Sequence, residues 1–162
     1  MICLTQNFLA IDIGTEGIKV AVFDVEGNCL ASSYEEYELK CPKPGWAEQD
    51  PNTWWQATVR NVRAVLSSVS PDEIAAVGVC GQMHAPIPID KEGNVLYRSS
   101  LLWCDKRNIK QCENLKKKID EEQLLSITGN PITTAWMGLK ILWIKENLPS
   151  AVSYTHLTLP TN

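Results

Sequence analysis

The stretch Leu9–Asp24, LAIDIGTEGIKVAVFD, constrains the fold more than any other part of the chain. Apolar residues run up to Asp12, a short turn carries Gly14 and Gly17, and alternation resumes at Ile18, Val20 and Val22. That is the pattern of two antiparallel strands joined by a tight turn, with both glycines expected at positive φ. The tip has chemistry of its own. Asp12 closes the first strand, and small residues follow whose backbone N–H groups can face an anion. A Gly-Thr turn of this kind can form a concave nest for phosphate, and the nearby carboxylate can hold a divalent cation through water. An ordinary hairpin with a polar tip fits the same residues.

The rest of the chain narrows the class. Its 162 residues suffice for one domain with a sizeable core and are few for two. A hydrophobic fraction of 44% and a charged fraction of 21% are those of a soluble globular protein. The net charge is −4 and the one basic run is Lys116-Lys117-Lys118, which argues against a nucleic-acid partner and for a solvated helix face. Six cysteines, Cys3, Cys29, Cys41, Cys80, Cys104 and Cys112, form no C-x-x-C pair, and only two histidines accompany them, so a zinc site is not expected. Cys80 and Cys104 lie in apolar strand-like runs and are expected to be buried reduced thiols, which points to the cytoplasm. The start lacks the features of a signal peptide, and no apolar span of about 18 residues predicts a membrane crossing.

Taken in order, Asp24–Asn28 is a second turn and Cys29–Leu39 a third strand, which makes an antiparallel meander. The proline-rich Cys41–Trp46 is a loop. A helix opens with Asp50 as N-cap and Pro51 at its first position, and Ser70-Pro71 stops it. Its apolar stripe reads Trp55, Val59, Val62, Leu66 and Val69. Ile74–Gly81 is a continuous apolar run, expected to be a central strand covered on both sides. The intervening helix then places it parallel to an earlier strand. Ala85–Ile89 and Ser100–Trp103 read as further strands, the first turned by Asp90–Asn94. A second helix is expected from near Asp105 to about Ile119, with Ile109, Cys112, Leu115 and Ile119 inward. Thr128–Pro131 is a loop. A third helix spans about Thr134 to Asn147, with Met137, Ile141 and Ile144 on one face and Trp136, Leu139 and Trp143 extending it, until Pro149 ends it. Residues 151–162 are rich in Thr and Leu without periodicity and read as a non-native or disordered tail, so His156 receives no role.

Two further constellations lie where strands end. Gly81-Gln82-Met83-His84 follows the apolar run, and in open α/β sheets ligands collect outside the carboxyl ends of strands. Gln82 and His84 both donate and accept, which suits a polyhydroxylated ligand; a turn whose His caps a backbone carbonyl is the plainer reading. At Trp103-Cys104-Asp105-Lys106-Arg107, Trp103 can stack on a sugar face while Asp105 caps the helix and accepts a hydroxyl or an Arg107 bond. A capped helix with a structural Asp–Arg pair accounts for Asp105 equally well.

Together these segments resemble the N-terminal domain of the FGGY carbohydrate kinases, most closely its xylulokinase branch. The resemblance is carried by IDIGT (11–15), PGWAEQDP (44–51) with Trp54-Trp55, GQMH (81–84), WCDKR (103–107), TGNP (128–131) and LKILW (139–143), in family order over residues 8–150. It implies an α/β actin-like ATPase fold of the ribonuclease-H kind, incomplete here: an antiparallel meander, then a parallel strand, with helices packed on the mixed sheet. Residues 1–150 are then a partial N-terminal domain.

The resemblance also implies ATP and Mg²⁺ in a cleft and phosphoryl transfer to a hydroxyl of a ketopentose such as D-xylulose, with a homodimer as the full-length form. Asp12 would be the catalytic and metal-side residue, and Gly14, Thr15 and Lys19 would line the phosphate hairpin. Met83 and His84 would contact the sugar, with Gln82 and Trp103 nearby and Asp105 and Arg107 shaping the pocket. Such reactions need positioning and charge neutralisation above all. Glu16 departs from the small hydroxyl residue usual at its position and adds negative charge beside the phosphate. The family's general base and adenosine pocket belong to later sequence, so the 162-residue chain is expected to be inactive alone. Gluconate, ribulose or a polyol as substrate, an actin-like ATPase, and a non-catalytic sugar-binding module are the competing readings.

Overall fold

The computed structural model describes residues 6–153; Cys3, His156 and most of the expected tail lie outside the described residues. The chain divides into two compact units. The first takes the chain up to Leu39 together with Asn52–Gln82, and the second takes Lys40–Pro51 together with the chain from Met83 onward.

In the first unit, β1 (Asn7–Ile13), β2 (Gly17–Phe23), β3 (Cys29–Glu36) and β5 (Ile74–Gly81) form one sheet in the order β3-β2-β1-β5. The meander β1-β2-β3 is antiparallel, and β5 returns parallel to β1 after helix α1 (Pro51–Val65), as the strand–helix–strand order requires. Alternation sorts the two faces. Leu9 and Ile11 of β1 and Ile18, Val20 and Val22 of β2 bury against Ala57, Val65 and Val69. Phe8, Asp12, Lys19 and Tyr34 take the opposite, exposed face.

Several expectations are corrected in this unit. Of the expected stripe, Val69 is in the core and Val62 and Leu66 pack against it, whereas Trp55 is 63% exposed; Trp54, Ala57, Asn61 and Val65 complete the buried face. Asn61 is held on that face by its amide, which donates to the Ala57 carbonyl (2.8 Å) and to Glu35 (3.0 Å) and accepts from Ser33 (2.6 Å). A count of apolar residues misses a polar residue that faces inward to bond β3. The helix also stops at Val65, ahead of Ser70-Pro71, where Ser67 and Ser68 bond back to Ala64 and Val65. Finally, β5 is no covered central strand. It sits at the sheet edge with Val77 57% and Val79 67% exposed, because β1 is its one partner among the described residues.

The turn glycines serve a purpose other than the expected one. Neither Gly14 nor Gly17 has positive φ. Gly17 is needed for close approach: a Cβ there would stand 2.5 Å from the Glu35 carbonyl oxygen and 2.9 Å from the Tyr34 ring. That oxygen belongs to the β2–β3 pair and cannot retreat without loosening it. Gly17→Ala should therefore cost about 2 kcal/mol of stability. Gly27, at φ +87° with nothing within 4 Å of a Cβ, should lose only about 1 kcal/mol on the same change. Urea unfolding of both variants checks the order, and equal losses would contradict it.

The second unit holds a short antiparallel pair, β4 (Glu48–Gln49) with β6 (Ser100–Leu101), and helices α2 (Ile109–Lys116), α3 (Glu121–Thr128), α4 (Met137–Asn147) and α5 (Pro149–Ser153). Cys112, Ile132 and Leu139 form its apolar centre, with Leu115, Leu124 and Leu142 packed against them. Residues 85–89 are not a strand. Pro86 and Pro88 withhold two ladder donors, and a lone bridge joins Ile89 to Val95. The helix expected from Asp105 begins instead at Ile109, and both Ile109 and Ile119 are exposed. Helix α3 went unread in the sequence although its signals are present: Asp120 accepts from the N–H groups of Glu122 and Gln123, and Gly129 ends the helix at φ +67°. The third expected helix starts three residues late, at Met137, and Met137 is exposed while Leu139, Lys140 and Ile144 are buried. The lysine run is exposed, with Lys116 paired to Glu121 at 3.0 Å. Helix α5 carries the described chain into the first residues of the expected tail.

Candidate functional site

In the first unit, the carboxyl ends of β1 and β5 lie side by side because the two strands are parallel. Asp12 pairs in register with Lys19 of β2 on one side and Cys80 of β5 on the other, and Lys19 pairs with Tyr34. Residues directly opposite share a face, so these four make a row across the exposed side of the sheet. Cys80 is exposed, contrary to the expectation of burial, and its thiol donates to Asp12 Oδ1 at 3.2 Å. That bond to the carboxylate, with the nearby negative charge and some desolvation, pushes the Cys80 thiol up from its ordinary value. Cys104, also expected inside, is half-buried.

Just beyond Asp12, the hairpin tip is braced from two sides. The Gly14 N–H donates to the Gly17 carbonyl at 3.0 Å, so it closes the turn. The Gly14 carbonyl accepts from the Tyr37 hydroxyl (2.5 Å) and from Gln82 Nε2 (3.2 Å), while the Thr15 hydroxyl donates to Gln82 Oε1 (3.4 Å). The Tyr37 N–H also donates to the Glu16 carbonyl at 3.2 Å. A planar trans peptide holds its C=O and N–H on opposite sides, so fixing the Gly14 oxygen fixes the direction of the Thr15 N–H. Burial, then the charges of Asp12 and Tyr34, push the Tyr37 phenol up to about 12, which keeps it a donor at neutral pH. The Glu16 side chain is exposed. Asp12, Gly14, Thr15, Lys19 and Gln82 are thus gathered at one end of the sheet. Tyr37 and Cys80 belong with them and were not singled out in the sequence for this place.

Among the described residues no cluster of three or more His, Cys, Asp or Glu side chains could cage a metal ion. The donor set at the hairpin suits a cation held by one carboxylate, with water and phosphate supplying its other ligands, as Mg²⁺ is commonly held.

In the second unit, Met83 is 68% and Trp103 49% exposed. His84 is the one non-glycine residue with positive φ (58°) among the described residues, and its ring stands edge-on to Trp136 at 4.7 Å. Its imidazole therefore meets an aromatic ring, not the carbonyl that the plainer reading gave it. Asp105 is no helix cap. Its buried carboxylate accepts from the Ala47 N–H (2.7 Å) and from the backbone N–H and Nε of Arg107 (2.9–3.0 Å). Arg107 Nη2 donates onward to Glu48 at 2.6 Å, and the guanidinium carbon lies 3.8 Å from the Trp46 ring centre and 5.2 Å from that of Trp143. Burial pulls the Arg107 pKa down, and the bonds to Asp105 and Glu48 more than reverse it. Lys140 is fully buried, and its ammonium donates to the carbonyls of His84 (3.0 Å) and Leu102. Neither its burial nor its partners could be read from the sequence, where it stands as one lysine between Leu139 and Ile141.

A mixed sheet of this order, with a carboxylate at the first hairpin and a polar corner after the parallel strand, defines an actin-like domain. The N-terminal domain of the FGGY family of carbohydrate kinases matches residues 7–161. The chain is 34% identical over 142 residues to a xylulose kinase of Escherichia coli, covering 88% of this chain and 29% of that protein. It is also 34% identical over 148 residues to a glycerol kinase of Burkholderia cenocepacia, covering 90% of this chain and 30% of that protein. The xylulose kinase structure from Rhodospirillum rubrum superposes with a TM-score of 0.85 at 26% identity, over 92% of this chain and 31% of that one. The chain belongs to the FGGY family of carbohydrate kinases, and it spans about 30% of the length of these relatives.

Proposed function

We propose that this chain is the phosphate-binding and part of the sugar-binding portion of an ATP- and Mg²⁺-dependent kinase, cytoplasmic, that phosphorylates a hydroxyl of a ketopentose, D-xylulose foremost. The observation that carries the reading is the gathering of Asp12, Lys19 and the Gly14–Thr15 turn at one sheet end, with Gln82 bonded to that turn. Phosphoryl transfer asks the protein for position and charge, and this set offers both. Asp12 would take the metal side, the Thr15 segment and Lys19 the phosphate side, and Met83, His84 and Trp103 the sugar. When bound, Mg²⁺ would neutralise charge on the phosphates. Asp105 and Arg107 would act from inside, by holding the Trp103 segment. The exposed edge of β5 would be covered by later sequence of the same domain.

Similarity to both a xylulose and a glycerol kinase makes the substrate the point to test. ADP formation by the full-length protein should be measured with D-xylulose, D-ribulose, gluconate and glycerol. The expected result is the highest kcat/KM with D-xylulose, and no sugar-dependent ADP from the 162-residue chain by itself. Preference for glycerol would overturn the sugar assignment alone. Absence of turnover with every acceptor would overturn the kinase reading.

A further inference from the structure

A buried lysine with no carboxylate bonded to it among the described residues calls for an explanation. Lys140 of α4 is fully buried, and both groups that accept from its ammonium are backbone carbonyls, those of His84 and Leu102. An ammonium carries three donors and is strongly hydrated in water, so a fold that buries one gives up much of that hydration. Among the groups around it, Asp105 and Cys104 favour its charge and Arg107 opposes it, while burial dominates and brings its pKa to about 8. An apolar side chain of equal length would fill the same space without these costs. The placement of the lysine therefore points to what its two bonds fix.

They fix two segments far apart in sequence. One is the corner at Met83-His84, where His84 holds a left-handed backbone that is uncommon outside glycine. The other is the end of β6, where Leu102 immediately precedes Trp103. Each segment presents an exposed side chain, Met83 in the first and Trp103 in the second. A single ammonium thus joins the backbones beneath both. We propose that Lys140 is a positioning residue that sets the spacing between the Met83-His84 corner and the Trp103 segment, and through it the affinity for a polyhydroxylated acceptor. The inference rests on the sugar-kinase reading. A displacement of about 1 Å at such a site is enough to change rates and affinities many-fold.

The test uses the full-length protein with Lys140→Met, which keeps length and removes the donors, and Lys140→Arg, which keeps donors and charge. Lys140→Met should raise the KM for the sugar about tenfold or more, with the KM for MgATP within about twofold of wild type. Lys140→Arg should recover part of the sugar affinity. A merely structural lysine would lower the active fraction, and so kcat, and leave the sugar KM alone. That result, or an equal rise in both KM values, would overturn the proposal. Should Lys140→Met not fold, Lys140→Gln, whose shorter side chain cannot keep both bonds, bears the decision: a sugar KM above wild type with MgATP unchanged supports the role, and wild-type values refute it. A wild type without sugar turnover defeats the underlying reading instead.

Discussion

In the full-length protein, Asp12→Asn is expected to lower kcat by about a thousandfold while the sugar KM changes by less than about threefold. The substitution is close to isosteric, and an amide oxygen at position 12 can still accept from the Cys80 thiol, which donates to Asp12 at 3.2 Å in the native chain. Packing is undisturbed, since Asp12 lies on the exposed face of the sheet. What is lost is one negative charge beside Lys19 at the end of β1. Removing a single preorganised charged or polar group from a reaction centre typically costs a factor of about 10²–10³ in kcat. At 1.36 kcal/mol per decade, a thousandfold loss is about 4 kcal/mol of transition-state stabilisation. Steady-state kinetics with the sugar and MgATP varied separately check it, together with calorimetric titration of the sugar. A variant that keeps more than about a tenth of wild-type kcat would place the metal-side role elsewhere.

The largest effect on stability should come from Arg107. Its side chain is 1% exposed, and it bridges two carboxylates, Asp105 at 2.8 Å and Glu48 at 2.6 Å, that are themselves 0% and 12% exposed. Asp105 in turn holds the Ala47 N–H, so one guanidinium links the β4 segment to the stretch ahead of α2. Arg107→Met leaves two carboxylates close together with their shared cation gone and little water to replace it. Breaking a buried pair in this way typically costs about 3–5 kcal/mol. The contact with Trp46 goes as well. Differential scanning calorimetry of the full-length protein should show a clear drop in Tm for Arg107→Met. Arg107→Lys should fall between, because an ammonium keeps the charge but cannot reproduce the two-sided bonding of a guanidinium. A Tm for Arg107→Met within a degree or two of wild type would contradict this account of the network.

The parts that could be read in the sequence are those where one local pattern decides the outcome. Alternation at Ile18, Val20 and Val22 beside the Asp12 turn determines the hairpin, and a helix between two strands determines that β5 runs parallel to β1. In α1 the inward Val62, Leu66 and Val69 could be read, but Asn61 could not, because it is a polar residue that faces inward to bond β3. The edge position of β5 was hidden because a run of apolar residues looks the same whether or not its neighbours are at hand. Residues 85–89 misled through alternation, which Pro86 and Pro88 cancel by removing donors. Asp105 shows how context decides chemistry: a carboxylate ahead of a helix reads as a cap, yet Ala47 and Arg107 take it first. The Asp105–Arg107 pair, by contrast, is legible from two opposite charges two residues apart, and it forms at 2.8 Å. Tyr37 and Lys140 act through backbone carbonyls, Gly14 in one case and His84 with Leu102 in the other. Carbonyls are everywhere in a sequence, so nothing in its letters marks the three that matter.

Asp12 and the Gly14–Thr15 turn are the proposed place where metal-bound nucleotide meets this domain. A crystal structure of the full-length protein with Mg²⁺ and ADP measures that directly. The prediction is that the nucleotide phosphates lie against the tip between β1 and β2, with the metal on the Asp12 side. Phosphates seated away from that tip, with Asp12 facing neither metal nor phosphate, would contradict it.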